Sequence, residues 1–188
     1  MVYRESIDFK GIDYRDNDLP MGEYDDCTFI NCTFASTNLT GRIFSDCRFE
    51  ACDMSMALLG QTSFRDVRFN NCKLLGLHFN NCNQFLLSIQ YEGCILNFSS
   101  FYQVNLKKSM FKNCMLKEVD FVESNLTQAE FLECDLTQAV FNNTLLEGAD
   151  LRTSFNFSIN PITNRIKKAR FSRDNVFGLL DEFGIVIY

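Results

Sequence analysis

Nine cysteines and a single histidine, His78, are the side chains of this sequence best suited to chemistry. The stretch "DDCTFINCTF" holds Cys27 and Cys32, each two positions before a phenylalanine. Thiols can bridge, bind a metal or attack as nucleophiles. A zinc site would need Cys-x-x-Cys or paired histidines, and neither occurs. A nucleophilic thiol needs a neighbouring base, and no Cys-His pair has a useful spacing. Carboxylates are more plentiful, with 24 Asp and Glu against 18 Lys and Arg, a net charge of −6. There is no Gly-x-Ser-x-Gly, no Walker A loop and no His-Glu-x-x-His. No catalytic residue, metal or cofactor is expected, nor a small-molecule substrate.

The elements that position the cysteines follow from an internal repeat, which must be sought before any other pattern. From Phe9, every fifth residue is Phe, Tyr, Leu or Met through Phe79, by way of Tyr14, Leu19, Tyr24 and Phe29. The series fails at Gln84, resumes at Leu86 and Tyr91, and runs to Leu151. Neither the helical period of 3.6 nor the strand period of two gives a strict period of five. Two positions before each large residue the side chain is mostly small, as at Cys27, Cys32, Thr37, Ser99, Ala129 and Ala149. The position between them is often Asp or Asn, as at Asp53, Asn105, Asp120 and Asp150.

The units "SNLTQ", "CDLTQ" and "ADLRT" resemble the pentapeptide-repeat family over residues 7 to 153. The resemblance implies an all-β, right-handed quadrilateral β-helix of about seven coils, one pentapeptide per side and about 20 residues per coil, with the large and small residues inward. The cysteines test that phase. Cys32, Cys52, Cys72, Cys94, Cys114 and Cys134 are separated by 20, 20, 22, 20 and 20 residues. They form one interior column, and a two-residue insertion lies near residues 80 to 86. Column neighbours at the roughly 4.8 Å strand spacing are too far apart at Cβ for a disulfide. The thiols are therefore expected to be free, buried filler. Arg42 and Gln84 stand where a small residue belongs, with Arg42 expected to turn outward or meet an acid.

After Pro161 the tail from 154 to 188 reads as a cap and dimerisation segment. Ser172 is a candidate N-cap, residues 173 to 183 a short α-helix and Gly184 its C-terminal stop. Val176, Phe177, Leu180 and Phe183, with Ile185, Val186 and Ile187 beyond, are the expected homodimer interface, one patch meeting itself across a two-fold axis. No apolar leader opens the sequence, and no run approaches the roughly 18 to 20 residues of a membrane span, so the expected compartment is the cytoplasm.

The acidic balance argues against direct nucleic-acid or membrane binding and fits a basic partner. The side carrying Leu19 through Phe141 has Asp18, Asp120 and Glu123 and no cation; the next side has Glu23, Asp25, Asp26, Asp46, Asp66 and Glu147 against Arg65, Lys107 and Lys108. These acids, Glu147 apart, are the candidate partner-binding residues. The tail "INPITNRI" and "GLLDEFGIVIY" is similar to those of the Qnr/MfpA/McbG-like topoisomerase-protecting subgroup. That resemblance implies a dimeric rod that binds DNA gyrase or topoisomerase IV, competing with DNA or releasing a poison. Long extruded loops, which many Qnr proteins need, are missing here. A scaffold or interaction module of the same repeat, with no topoisomerase partner, is the alternative.

Overall fold

A computed structural model describes residues 1–186. The chain winds as a right-handed quadrilateral β-helix of about seven turns. Four parallel ladders run along the rod, one per side. The Phe9 side pairs β2 (Asp8–Lys10), β4 (Thr28–Ile30), β6 (Arg48–Glu50), β8 (Val67–Asn70), β9 (Ile89–Glu92), β10 (Met110–Lys112) and β11 (Glu130–Leu132). The Tyr24 side pairs β1 (Val2–Glu5), β3 (Gly22–Asp25), β5 (Ile43–Ser45) and β7 (Ser63–Arg65). The Tyr14 and Leu19 sides are joined by single parallel bridges, such as Asp53↔Lys73 and Ser100↔Asp120.

Ring stacking accounts for the abundance of phenylalanine. On the Phe9 side, Phe9, Phe29, Phe49 and Phe69 lie 4.8 to 4.9 Å apart, centroid to centroid, and nearly parallel. Tyr91, Phe111 and Phe131 continue the stack at 5.0 and 4.9 Å. Rings on different sides meet edge to face, as Phe111 meets Phe121 at 6.1 Å. Both geometries suit the ring quadrupole. Because no coil can bury its own rings, stability comes from neighbours, as in other solenoids.

All nine cysteines are free and buried. Most do more than fill space, because their thiols donate to carbonyls of the preceding coil. Cys52 Sγ meets the Phe29 carbonyl at 3.3 Å, Cys72 that of Phe49 at 3.3 Å and Cys134 that of Phe111 at 3.3 Å. Thr62 and Ser154 use hydroxyls in the same way, at 2.8 Å each to Leu39 and Phe131. Arg42 occupies this inward slot too, which corrects the expectation that it turns outward or pairs with an acid. Its guanidinium is buried and donates to the carbonyls of Leu19 and Thr40.

The insertion forms a 3-10 turn, Phe79–Asn81, followed by a small bulge. Gln84 Nε2 closes the bulge on the carbonyls of Phe79 and Cys82 at 3.1 and 3.0 Å. Leu86 does not resume the inward series. It adopts φ +59° and is exposed, while Leu87 packs against the core.

The ladders run past residue 153. The pairs Leu145↔Arg165 and Asp150↔Arg170 add a further turn, and Ile166 and Phe171 pack against the core below Leu146 and Leu151. The expected α-helix over 173 to 183 is instead two 3-10 turns, Val176–Leu179 and Asp181–Phe183. Gly178 is the cause. Its carbonyl, which an α-helix would give to Glu182, accepts the Ile159 N–H at 2.9 Å. A Cβ at 178 would lie 2.2 Å from the Phe157 carbonyl, so only glycine permits the approach. Ser172 still caps this segment, accepting the Asn175 N–H at 3.2 Å, and Gly184 ends it in the left-handed region at φ +59°.

Candidate interaction surface

The corners of the coil build the acidic surface. Two residues after most of the large inward residues the chain adopts a positive φ, a conformation that Asn, Asp and Gly tolerate best. Asp26, Asp46 and Asp66 occupy this position on successive coils, with φ of +47°, +53° and +51°. The repeat thus stacks three carboxylates in a column at about the 4.8 Å strand spacing. Ser6 Oγ donates to Asp26 at 2.9 Å and Ser88 Oγ to Asp66 at 2.8 Å, leaving Asp46 in the middle without a serine. Asp25 accepts the Tyr3 hydroxyl at 3.3 Å, and Glu23 lies beside it on β3.

Three of the candidate acids are elsewhere. Asp18 is exposed on the first coil of the Leu19 side. Asp120 and Glu123 lie on that side's C-terminal half, held by Ser100 Oγ at 3.1 Å and Gln103 Nε2 at 2.7 Å. Sequence reasoning also missed that two cations border the aspartate column. Arg48 and Arg68 project from β6 and β8 into the same groove of about 550 Å³ that Asp26, Asp46 and Asp66 line. Reading each side separately hid this, because the arginines belong to the Phe9 side. The groove therefore offers alternating charge to a partner.

The tail lies across the C-terminal end of the rod. Asn175 Nδ2 donates to the carbonyls of Leu151 and Ser154 at 2.8 and 2.9 Å, and Leu179 packs against the core. Val176 and Leu180 are half-buried, whereas Phe177, Phe183, Ile185 and Val186 remain exposed. Ile187, the last expected interface residue, lies outside the described residues.

Burial raises the thiols of Cys47 and Cys82, both pushed up to about 12. Thiols so held are protonated at neutral pH and poor nucleophiles. Among the described residues, no cluster of His, Cys, Asp and Glu could hold a metal ion. No helix among them is long and apolar enough to cross a membrane.

A family model, the pentapeptide repeat region, matches residues 23–85 and 86–156. The chain belongs to the pentapeptide-repeat family. Among solved structures, this pentapeptide-repeat protein is similar to QnrB1, described as a plasmid-mediated fluoroquinolone resistance protein. One trypsin-treated variant of QnrB1 aligns over 100% of this chain and 92% of that one, at a TM-score of 0.73 and 16% identity. A second trypsin-treated variant of QnrB1 aligns over 100% of both chains at a TM-score of 0.65 and 15% identity. HetL, from the cyanobacterium Nostoc and involved in heterocyst differentiation regulation, aligns over 91% of this chain and 85% of its own, at a TM-score of 0.57 and 15% identity. At these identities the likeness establishes the shared fold. No curated protein matches the sequence.

Proposed function

We propose that this chain is a non-enzymatic rod that binds DNA gyrase or topoisomerase IV, giving resistance to quinolones or immunity to a gyrase-poisoning toxin. The observation that carries the reading is the alignment with QnrB1 along the whole chain. Charge supports it in a limited way. Duplex DNA carries about one negative charge per 1.7 Å of axis. The aspartate column offers one per coil, interleaved with Arg48 and Arg68. Any imitation of DNA therefore rests on the shape of the rod more than on charge density. The exposed apolar residues of the tail serve a two-fold homodimer, doubling the rod's length. Among the described residues, the repeat is interrupted by no more than the small bulge from Gln84 to Leu86, so protection here works without a long loop.

Supercoiling by purified gyrase, titrated with this protein with and without a fluoroquinolone, tests the reading. Restored supercoiling under drug, or inhibition by excess protein without it, is expected. Exchange of Asp46 and Asp66 for Lys should weaken either effect about tenfold, the equivalent of about 1.4 kcal/mol. Light scattering should give a dimer, and Phe183→Glu combined with Ile185→Lys should give a monomer. A dimer in that variant removes the tail as the interface. The second reading, a scaffold without a topoisomerase partner, draws on the HetL alignment. It prevails if neither gyrase nor topoisomerase IV responds in either arm.

A further inference from the structure

The Leu19 side differs from the other three in having no lysine or arginine at any outward position. It also adjoins exposed apolar side chains on two coils, with one coil between them. Met56 and Leu58 are each 60% exposed, Phe98 is 55% and Tyr102 is 38%. Met56 and Phe98 stand two coils apart on the corner between the Tyr14 and Leu19 sides, and Gly76 holds that corner on the coil between them. A Cβ at 76 would lie 2.4 Å from the Met56 sulfur. The Met56 thioether therefore lies across the glycine, and the corner between Met56 and Phe98 carries no side chain of its own. Tyr102 extends the apolar surface onto the flat of the side. One coil further, at about the 4.8 Å spacing, Asp120 and Glu123 are fixed by hydrogen bonds from Ser100 and Gln103.

These residues are not needed by the solenoid. Their backbones take part in the ladders, but their side chains lie outside the inward series, and at many other outward positions of this side the repeat uses Asn, Gln, Ser, Thr and Gly. An exposed apolar patch maintained in water marks an interaction site. The charge beside it selects the partner, because two oriented carboxylates on a side without lysine or arginine attract positive charge, while the nearby Lys117 of the Tyr14 side pairs with Glu118. We propose that the surface from Met56 to Glu123 on the Leu19 side docks a protein segment that presents large apolar side chains next to lysine or arginine. An apolar side chain sits between Met56 and Phe98, and the partner's cation reaches Asp120 and Glu123. This surface is separate from the aspartate groove on the Tyr24 side and does not depend on the partner proposed above. A lipid surface fits less well, because the acids beside the patch have no counterpart in a neutral or anionic bilayer.

Fluorescence anisotropy on the full chain tests this with three labelled peptides and one vesicle preparation. The first peptide has Phe-Leu between two Lys-Lys pairs, the second has Ser-Ser in place of Phe-Leu, and the third has Glu in place of Lys. Only the first should bind, with the other two weaker by about tenfold or more. Met56→Ser with Phe98→Ser should weaken binding about tenfold, whereas Asp46→Asn should leave it unchanged. Gln103→Lys, which keeps every apolar residue and adds a cation, should weaken it too and guards against a misfolded double variant. Equal binding of the Ser-Ser peptide, indifference to both variants, or partition onto phosphatidylcholine vesicles in place of peptide binding would each overturn the proposal.

Discussion

Two kinds of corner turn the chain. At a tight corner the N–H three residues on closes a turn onto the large residue's carbonyl, as Thr37 does to Phe34 at 3.0 Å and Ala129 to Leu126 at 3.0 Å. The side before it is then held by a single bridge. At an open corner that bond is missing among the described residues, and the chain stays extended for three or four residues, giving the strands of the Phe9 and Tyr24 sides. Every cysteine except Cys82 follows an open corner, and its neighbours in those columns include Ile7, Ile12, Val67 and Ile89. Tight corners are mostly followed by Ala, Ser or Thr. Cysteine thus goes mainly with extended sides and Ala, Ser or Thr with closed turns, although Arg42, Val104 and Val119 also follow tight corners. The kind of corner in turn goes with whether a side is strand or bridge.

The largest expected effect probes what both corners share, which is a dry interior. Burial pushes Cys47, after an open corner, and Cys82, after a tight one, up to about 12. The unfolded thiols ionise near about 8.5. Protonation is thus retained by the folded state over that interval, so the stabilisation is complete below about pH 8.5 and is lost as pH rises toward about 12. A shift of about three units corresponds to roughly 4 kcal/mol per thiol. Urea unfolding between about pH 7 and pH 11 should show this decline, and Cys47→Ala and Cys82→Ala should each flatten it by the same amount. A flat profile would mean that neither slot is dry, and flattening by one variant alone would mean that the two kinds of corner admit water differently.

A smaller effect separates the corners. Ala129→Cys crowds a tight corner and should cost about 1 to 3 kcal/mol. Cys94→Ala leaves a void after an open one and removes the thiol's bond to the Phe69 carbonyl, 3.3 Å away. Its cost should be about 1 to 2 kcal/mol. Thermal unfolding of the two variants and of the combined variant measures both. If Ala129→Cys is neutral, slot width does not set the corner.

This distinction was present in the sequence but hidden by averaging. A period of five with a small residue two places earlier describes all sides alike, so cysteine, alanine and serine read as one class. The free thiols, the interior column and the two-residue insertion were legible because each depends only on spacing. Ile166 and Phe171 were also legible in principle, since they stand 20 residues after Leu146 and Leu151. Asn156 and Pro161, in the slots between, masked them. The 3-10 tail was not legible, because it depends on contact between Gly178 and Phe157, which no local pattern encodes. Nor was the course of Arg42, whose guanidinium reaches the Leu19 carbonyl on the preceding coil. Of the candidate surface, the stacking of Asp26, Asp46 and Asp66 followed from the 20-residue repeat, but their proximity to Arg48 and Arg68 required the corner's real shape.

The smallest effect concerns the coil where the two kinds of corner are disturbed together. Tyr91 is fully buried in the Phe9 stack, and its hydroxyl has no hydrogen-bond partner among the described residues. It stands just after the insertion, and its ring lies 5.7 Å from Phe69, wider than the 4.8 to 5.0 Å of the other pairs in that stack. A buried hydroxyl without a partner costs more than the ring edge it replaces. Tyr91→Phe should therefore raise stability by about 1 kcal/mol, read as a higher urea midpoint at unchanged slope. The wider spacing gives the opposite result a clear meaning. A loss of stability would show that the bulge admits a water between coils and that the hydroxyl is its anchor. The open corner would then tolerate two extra residues by hydration, whereas a gain would show that it absorbs them by widening the stack alone.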